Sequence, residues 1–425
     1  MQWRQQALGI GLVCVGMVLL LVVGTQLVDA AFDSAFIPDD PRYGDLPGTC
    51  YWAGDVRNYM RIGLDGYTGY TASLEPRHLY QLNDYSWWPL FPAITSVVIR
   101  QGGGMCSSRA VNSVMFVLLA PLFLALTGER RWWRMLVLGV VPFGAWLYVG
   151  EADSFFLLLS GALVGVIQLG TTLPPPAGES DESAPVPVAR LRLAGIGALV
   201  AGIVVGLAKP NGLALLPAFG VWALVLAVQH WRAHPDLPRW RRLLDDHNPV
   251  WVPALGGIGI ALSTAWWVYQ TSGYYPFYVL MIQRALWYRE FTAWDPASFG
   301  YTFHTAIYYA RHDLGTMYEL QRLTELAAMI YGLALAVAGL GPRWPGGERI
   351  PVPVHWRVGI LGTYLLVVSS GQSHGVERYA VSNVFVVLVW YRLVFGAPGQ
   401  SVEWRVWTFP GLVRWTWLAL GPVLW

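Results

Sequence analysis

Residues 7–28 read ALGIGLVCVGMVLLLVVGTQLV, an apolar run without a single charge. A transmembrane helix needs about 20 such residues, so this run is long enough to cross a bilayer. Its flank, Met1-Gln2-Trp3-Arg4, resembles the start of a signal peptide, but the run exceeds the roughly 7–15 apolar residues of a signal core. The expectation is an uncleaved first helix with Arg4 on the cytoplasmic side. Comparable runs recur along the chain, and further spans are expected near 110–127, 135–149, 152–169, 191–208, 211–230, 250–270, 326–341, 358–370, 380–396 and 410–425.

The composition agrees with this reading. Of 425 residues, 55% are hydrophobic and 13% charged, about half the charge of a typical soluble domain. The mean hydropathy is +0.43. These values exclude a secreted domain, a nucleic-acid binder and a cytosolic enzyme. The 28 basic and 26 acidic residues leave a net charge of +2, with no bulk field to attract a polyanion. Lys209 is the single lysine. Three cysteines cannot make a disulfide framework. Cys14 lies in an apolar run and is expected to be inert. Cys50 and Cys106 can pair only if both face an oxidising compartment.

Basic loops belong on the cytoplasmic side. GERRWWR (128–134), WRAHPDLPRWRR (231–242) and PRWPGGERIPVPVHWR (342–357) meet that condition together only if residues 87–108 do not form a complete span. Within that segment, WWPLFPAITSVVIR (87–100) is short, bracketed by proline and followed by glycines. It is expected to be a half-helix dipping into the membrane, a backbone tolerated only against protein or a wet cavity. The expectation is therefore an all-α polytopic bundle of about eleven spans, with twelve as the alternative. The whole chain, 1–425, reads as one integral membrane domain. The polar stretch 29–88 and the 271–325 loop fall on the outer face. The 171–189 loop, rich in Pro, Ser and acidic residues, is a flexible linker on the cytoplasmic face.

Charge is nearly absent from the expected spans and gathers where they reach the outer face. The groups are Asp55, Arg57 and Arg61; Glu151 and Asp153; Lys209 and Asn211; Arg284 and Arg289; and His374, Glu377 and Arg378. Cations and carboxylates at one level can form a site for an acidic head group. The simpler reading is that residues at helix ends are polar because they meet lipid head groups. If Asp55–Leu64 is helical, Asp55, Tyr59 and Ile62 share a face. A carboxylate among aromatic and apolar neighbours can act as a general base; alternatively, Asp55 is a helix N-cap. Lys209, forced out of helical geometry by Pro210, can hold a phosphate as a point charge or snorkel to lipid phosphates. Arg378 has the same two readings. No phosphate-binding loop, dinucleotide fingerprint or metalloprotease motif is present, and the histidines lack metal-ligand spacing.

Taken together, these segments resemble the PIG-V-type mannosyltransferases of the GT-C glycosyltransferase superfamily, especially their bacterial relatives. Asp55, Tyr59, Ile62, Gly66 and Tyr67 stand at the steps of the family's first-loop pattern, with Gly54 where the family has Trp. WWPLFP, from Trp87 and Trp88 to Pro92, is similar to the family's Phe-Phe-Pro-Leu-Tyr-Pro element. Ala152-Asp153-Ser154-Phe155-Phe156 is similar to Ser-Glu-Ser-Leu-Phe, with Asp in place of Glu. Lys209-Pro210-Asn211-Gly212 is similar to Arg-Pro-Thr-Gly, and Arg378-Tyr379 to a late Arg-Tyr. FYVLMIQRALWYR (277–289), which includes Arg284, is similar to a Gln-and-Trp segment before the family's last spans.

The resemblance implies a polyprenyl- or dolichyl-phosphate hexose donor, typically mannose, and an acidic catalytic base in the first outer loop. On that reading Asp55 and Asp153 are the catalytic carboxylates, and Lys209, Arg378 and Arg57 hold the donor phosphate. Tyr59, Trp88, Glu151, Asn211, Arg284 and His374 line the substrate pocket. No resident metal or cofactor is implied, although an acidic pair such as Asp55 with Asp153 can hold a divalent ion such as Mg or Mn. The expected partners are the lipid-linked donor, a glycan, glycolipid or protein acceptor, and membrane lipids. No nucleic acid is expected. The expected location is the plasma membrane, with the site on the outer face. The rival classes are a transporter or lipid flippase, and a non-catalytic scaffold of the same fold.

Overall fold

The structure is a computed structural model describing residues 2–32, 54–67, 87–129, 131–149, 151–171, 187–236, 238, 245, 248–271, 317–337, 352–368 and 376–395. Every regular element among them is helical and none is a strand. Six stretches are long and apolar enough to cross a membrane: Gln6–Leu27, Ser107–Thr127, Asp153–Thr171, Val188–Ala208, Pro210–Ala233 and Trp251–Thr271. A multi-pass helical protein follows. The expected span at 410–425 and most of the 171–189 and 271–325 loops lie outside the described residues.

Helix α1 (Gln2–Phe32) carries the opening apolar run. Inside the long polar stretch, α2 (Gly54–Asp65) forms the helix expected around Val56–Leu64. Next, α3 (Leu90–Val98) passes into a π turn (Ile99–Gly103) and a 3₁₀ turn (Gly104–Cys106) before α4 (Ser107–Thr127). The fourteen helical residues 90–103 reach at most about 21 Å at 1.5 Å each. That falls short of the roughly 30 Å hydrocarbon core, in line with a half-helix. The reversal into α4 uses Gly102 (φ +90°) and Gly104 (φ +63°), a region that favours glycine.

Glycine contacts fix the helix directions. Gly161 of α6 (Asp153–Thr171) faces Leu122 and Leu126 of α4, and Ser154 meets Asn112, so α4 and α6 run parallel. Gly170 faces Ala194 and Gly197 faces Val166, so α7 (Val188–Ala208) returns antiparallel to α6. Helix α8 (Leu216–Ala233) follows a 3₁₀ turn (Pro210–Leu215), and α9 (Trp251–Thr271) runs parallel to α7. At that interface a Cβ on Gly202 would strike the Gly256 carbonyl oxygen, and one on Gly259 the Leu199 carbonyl oxygen. Small residues let two membrane helices approach this closely. One end of the bundle thus collects the C-terminus of α1, the N-termini of α4 and α6, and the C-termini of α7 and α9.

The 135–149 span departs from the expected single α-helix. A 3₁₀ helix (Trp132–Val140) is followed by a break at Val141–Gly144, where Phe143 has φ +63°, and by the single-turn α5 (Ala145–Tyr148). Pro142 explains the break, since proline donates no backbone hydrogen bond. The segment nevertheless climbs beside α1, with Gly9 facing Trp132, Gly16 facing Leu136 and Gly24 facing Tyr148. Fifteen residues of α1 rise about 22 Å, and nine 3₁₀ residues at about 2.0 Å each supply most of that climb.

The 380–396 span is also divided. Helix α10 (Met317–Val337) packs on α11 (Val354–Val368), and the chain then forms α12 (Val376–Ser382) and α13 (Val384–Phe395). The break is at buried Asn383, whose Oδ1 accepts from the Phe385 amide at 2.8 Å and caps α13. Its Nδ2 donates to Thr363 Oγ1 at 2.6 Å and Gly359 O at 3.1 Å, tying the break to α11.

The far end of the bundle is closed by Glu129. It accepts from Arg134 at 2.7 Å, the Arg131 amide at 2.9 Å and the Tyr391 hydroxyl at 3.0 Å. Burial raises the pKa of this carboxyl, but these hydrogen bonds outweigh it, and the net shift is below the usual carboxylate value.

Candidate functional site

Four charges from three separate segments meet at the end where α6 begins. Asp153 is the first residue of α6 and is fully buried, and Glu151 precedes it in the turn from α5. Lys209 follows the last residue of α7 with extended backbone (φ −161°, ψ 146°), the geometry that a following proline enforces. Arg378 lies on α12, whose carbonyl at that residue accepts from Ser382 Oγ at 2.7 Å.

Lys209 Nζ donates to Asp153 Oδ1, and Arg378 Nε donates to Asp153 Oδ2 at 3.3 Å. Arg378 Nη2 pairs with Glu151 Oε2. Asp153 therefore bridges both cations, and the cluster holds two positive and two negative groups. Buried charges persist only when paired and hydrogen-bonded, which accounts for the neutral count. Aromatic faces complete the surround: the Arg378 guanidinium is 5.2 Å from the Trp146 ring, and Lys209 Nζ is 5.8 Å from the Tyr379 ring. Arg378 has the greatest access, its side chain being 17% exposed against 8% for Lys209.

Helix α2 abuts this end. Its Val56, Tyr59, Met60 and Ile62 are buried. The Tyr59 ring lies 4.8 Å from Phe91 of α3, and Phe91 lies 5.3 Å from Phe155, two residues after Asp153. Asp55 stands in the first turn of α2, four residues before Tyr59, and Arg57 stands in the same turn. The side chains of Asp55 and Arg57 lie outside the described residues, as do Arg284 and His374 entirely.

Trp88 is buried, 6.0 Å from Trp267 in the last turn of α9. The Tyr67 hydroxyl donates to the Trp87 carbonyl at 2.7 Å, and its ring lies 5.2 Å from Trp267. Asn211 is buried beside Lys209, and its Nδ2 makes no hydrogen bond among the described residues.

The structure thus brings together Glu151, Asp153, Lys209 and Arg378 among the expected site residues, with Tyr59, Trp88 and Asn211 on the elements around them. Lys209 and Arg378 do not stand as a bare pair of cations open to a phosphate; each already engages a carboxylate. Asn112, Trp146 and Trp267 are the additions. Asn112 has a visible signal, a lone amide in the 110–127 apolar run, where an unsatisfied polar group is costly. Among the described residues, no three His, Cys, Asp or Glu side chains converge as a metal site. Cys106 is disulfide-bonded and Cys14 is a free thiol, while Cys50 lies outside the described residues. Compared with known families, curated proteins and solved structures, the chain matches none.

Proposed function

We propose that this protein is an inverting membrane glycosyltransferase. It moves a hexose, mannose in the first instance, from a polyprenyl or dolichyl phosphate to an outer-face acceptor. The observation that carries the reading is the buried Glu151–Asp153–Lys209–Arg378 cluster at the bundle end on which α2 packs. In this reading Asp55 takes the proton from the acceptor hydroxyl. The hydroxyl oxygen attacks the anomeric carbon from the face opposite the phosphate, the carbon–oxygen bond to the phosphate breaks, and the configuration inverts. The lipid phosphate leaves with the bonding electron pair, and Lys209 and Arg378 stabilise its charge. Asp153 holds those two cations at the spacing the phosphate meets. A donor carried by lipid needs no nucleotide fold, in keeping with a sequence that has no nucleotide-binding motif.

The same reading takes the fold as a GT-C-like bundle of about eleven spans in the plasma membrane, with the cluster facing outward. The Cys106 disulfide supports that side, because disulfides persist in oxidising compartments. A transporter would carry its ionisable groups near mid-membrane. In the six candidate spans, Arg109, Asp153, Arg190, Arg192 and Arg232 all stand within two turns of an end. The test is incubation of the purified protein with a panel of polyprenyl-phosphate hexoses and an acceptor membrane extract. Release of polyprenyl phosphate with one hexose supports the proposal. No release with any of them, alongside solute flux in liposomes, overturns it.

A further inference from the structure

Asn112, a fully buried side chain on α4, uses all of its hydrogen-bonding capacity on one turn. A primary amide offers two N–H donors and a carbonyl oxygen with two lone pairs. Nδ2 donates to the carbonyls of Leu147 at 3.0 Å and Val149 at 2.6 Å. Oδ1 accepts from the amides of Ser154 at 3.1 Å and Phe155 at 3.3 Å. The first pair of contacts holds the end of α5 and the second holds the start of α6. Glu151 and Asp153 lie between them.

The opening turn of an α-helix leaves amides without intrahelical partners, and a side chain at the capping position normally accepts from them. Here that position is Ala152, whose carbonyl takes the first intrahelical bond from Phe156 at 2.9 Å and whose methyl side chain accepts nothing. Asn112 supplies the missing acceptor from another helix. Asp153, the first helical residue, follows directly on this capped turn, and its two oxygens go to Lys209 and Arg378. Ser154 Oγ adds a bond to the Leu147 carbonyl at 2.9 Å across the same turn.

We infer that Asn112 is a positioning residue for the donor-phosphate clamp. It acts through the 147–155 turn to hold Asp153, and through Asp153 the spacing of Lys209 and Arg378. This rests on the transferase reading above. Misplacement by about 1 Å at a reacting centre can cost on the order of 100-fold in rate.

The test compares full-length Asn112→Ala with Phe123→Ala, a buried change lower on the same helix and outside the site. Both are assayed with polyprenyl-phosphate mannose, separating kcat, donor KM and acceptor KM, and both are followed by hydrogen exchange. Asn112→Ala is expected to raise donor KM about tenfold and lower kcat/KM for the donor on the order of 100-fold. Acceptor KM is expected to stay unchanged. Faster exchange is expected in peptides covering 147–157, 204–212 and 376–383. Phe123→Ala is expected to lower kcat through lost active protein while leaving both KM values in place. If Asn112→Ala does not fold, Ser154→Ala removes one bond of the network and should move donor KM in the same direction by a smaller factor. Equal KM values in Asn112→Ala and Phe123→Ala, or faster exchange confined to 147–157, overturn the inference. A wild type that transfers nothing overturns the transferase reading instead, and the exchange pattern then decides the positioning role alone.

Discussion

Asp153→Asn removes the charge that bridges Lys209 and Arg378 while leaving the shape of the side chain intact. The Asp153 side chain is 0% exposed and that of Lys209 is 8% exposed, so Lys209 is left buried without its carboxylate. Removing one member of a buried ion pair costs about 3–5 kcal/mol, because the partner charge stays buried and uncompensated. At about 2.1 cal/mol/K of unfolding entropy per residue, the 425-residue chain loses about 1 °C of Tm per kcal/mol. The expected drop is therefore about 3–6 °C. Lys209→Met should cost a similar amount, since it takes from Asp153 one of its two cations. The double variant Asp153→Asn/Lys209→Met removes both charges at similar volume, a replacement that is often neutral. Its Tm should return to within about 2 °C of wild type. The assay is thermal unfolding in one detergent at pH 7, followed by intrinsic tryptophan fluorescence. Additive losses in the double variant, or single variants within about 1 °C of wild type, would refute a coupled buried pair.

The α7–α9 contact should be intolerant of added volume. Gly259→Ala is expected to lower Tm by about 1–3 °C, from an overpacking cost of about 1–3 kcal/mol, and Gly259→Val by more; unchanged melting would show the two backbones farther apart than this. Alkylation of the denatured, unreduced protein should label one thiol, Cys14, and reduction should expose two more; a Cys50–Cys106 linked peptide is the expected map. Acid should weaken the Glu129 contacts. Its folded pKa lies below the usual 4.5, so the folded state binds fewer protons than the unfolded one. The stabilisation is then fully present above about pH 4.5 and lost as pH falls through the folded value. The Tm gap between wild type and Glu129→Gln should be widest at pH 7 and narrow as pH falls below about 4.5; a gap independent of pH would contradict the ion pair.

The apolar runs made the six candidate spans visible, because an apolar stretch long enough to cross the hydrocarbon core is too costly to leave in water. Where the chain departed from simple runs, local chemistry decided the outcome. Pro142 broke 135–149 into a 3₁₀ helix and a single α turn, although its apolar composition looked continuous. Asn383 divided 380–396 because its amide found acceptors on α11 and donors at the start of α13. Proline and glycine in WWPLFP and the following GGG mark where the short helix α3 starts and where the chain turns into α4.

For the site, chemistry-bearing residues at span ends were legible one by one, but their pairing was not. Asp153 lies 56 residues from Lys209 and 225 from Arg378 in the chain, and nothing local in the sequence links them. The expectation was of cations and carboxylates gathered at one level; which carboxylate holds which cation, Asp153 bridging both and Glu151 meeting Arg378, is visible only in the fold. Asn112 stands out in the sequence as a lone amide in an apolar run, but its partners are backbone groups, which leave no mark there.

The central claim, an outer-face transferase whose base is Asp55, is tested most directly by one comparison. Wild-type and Asp55→Asn proteins are purified, matched in Tm and given radiolabelled polyprenyl-phosphate mannose with acceptor. Transfer by the wild type is expected, with a loss of about 10²–10⁴-fold or more in the variant, the usual contribution of a general base. Donor binding should be equal in the two. Full transfer by Asp55→Asn would contradict the account.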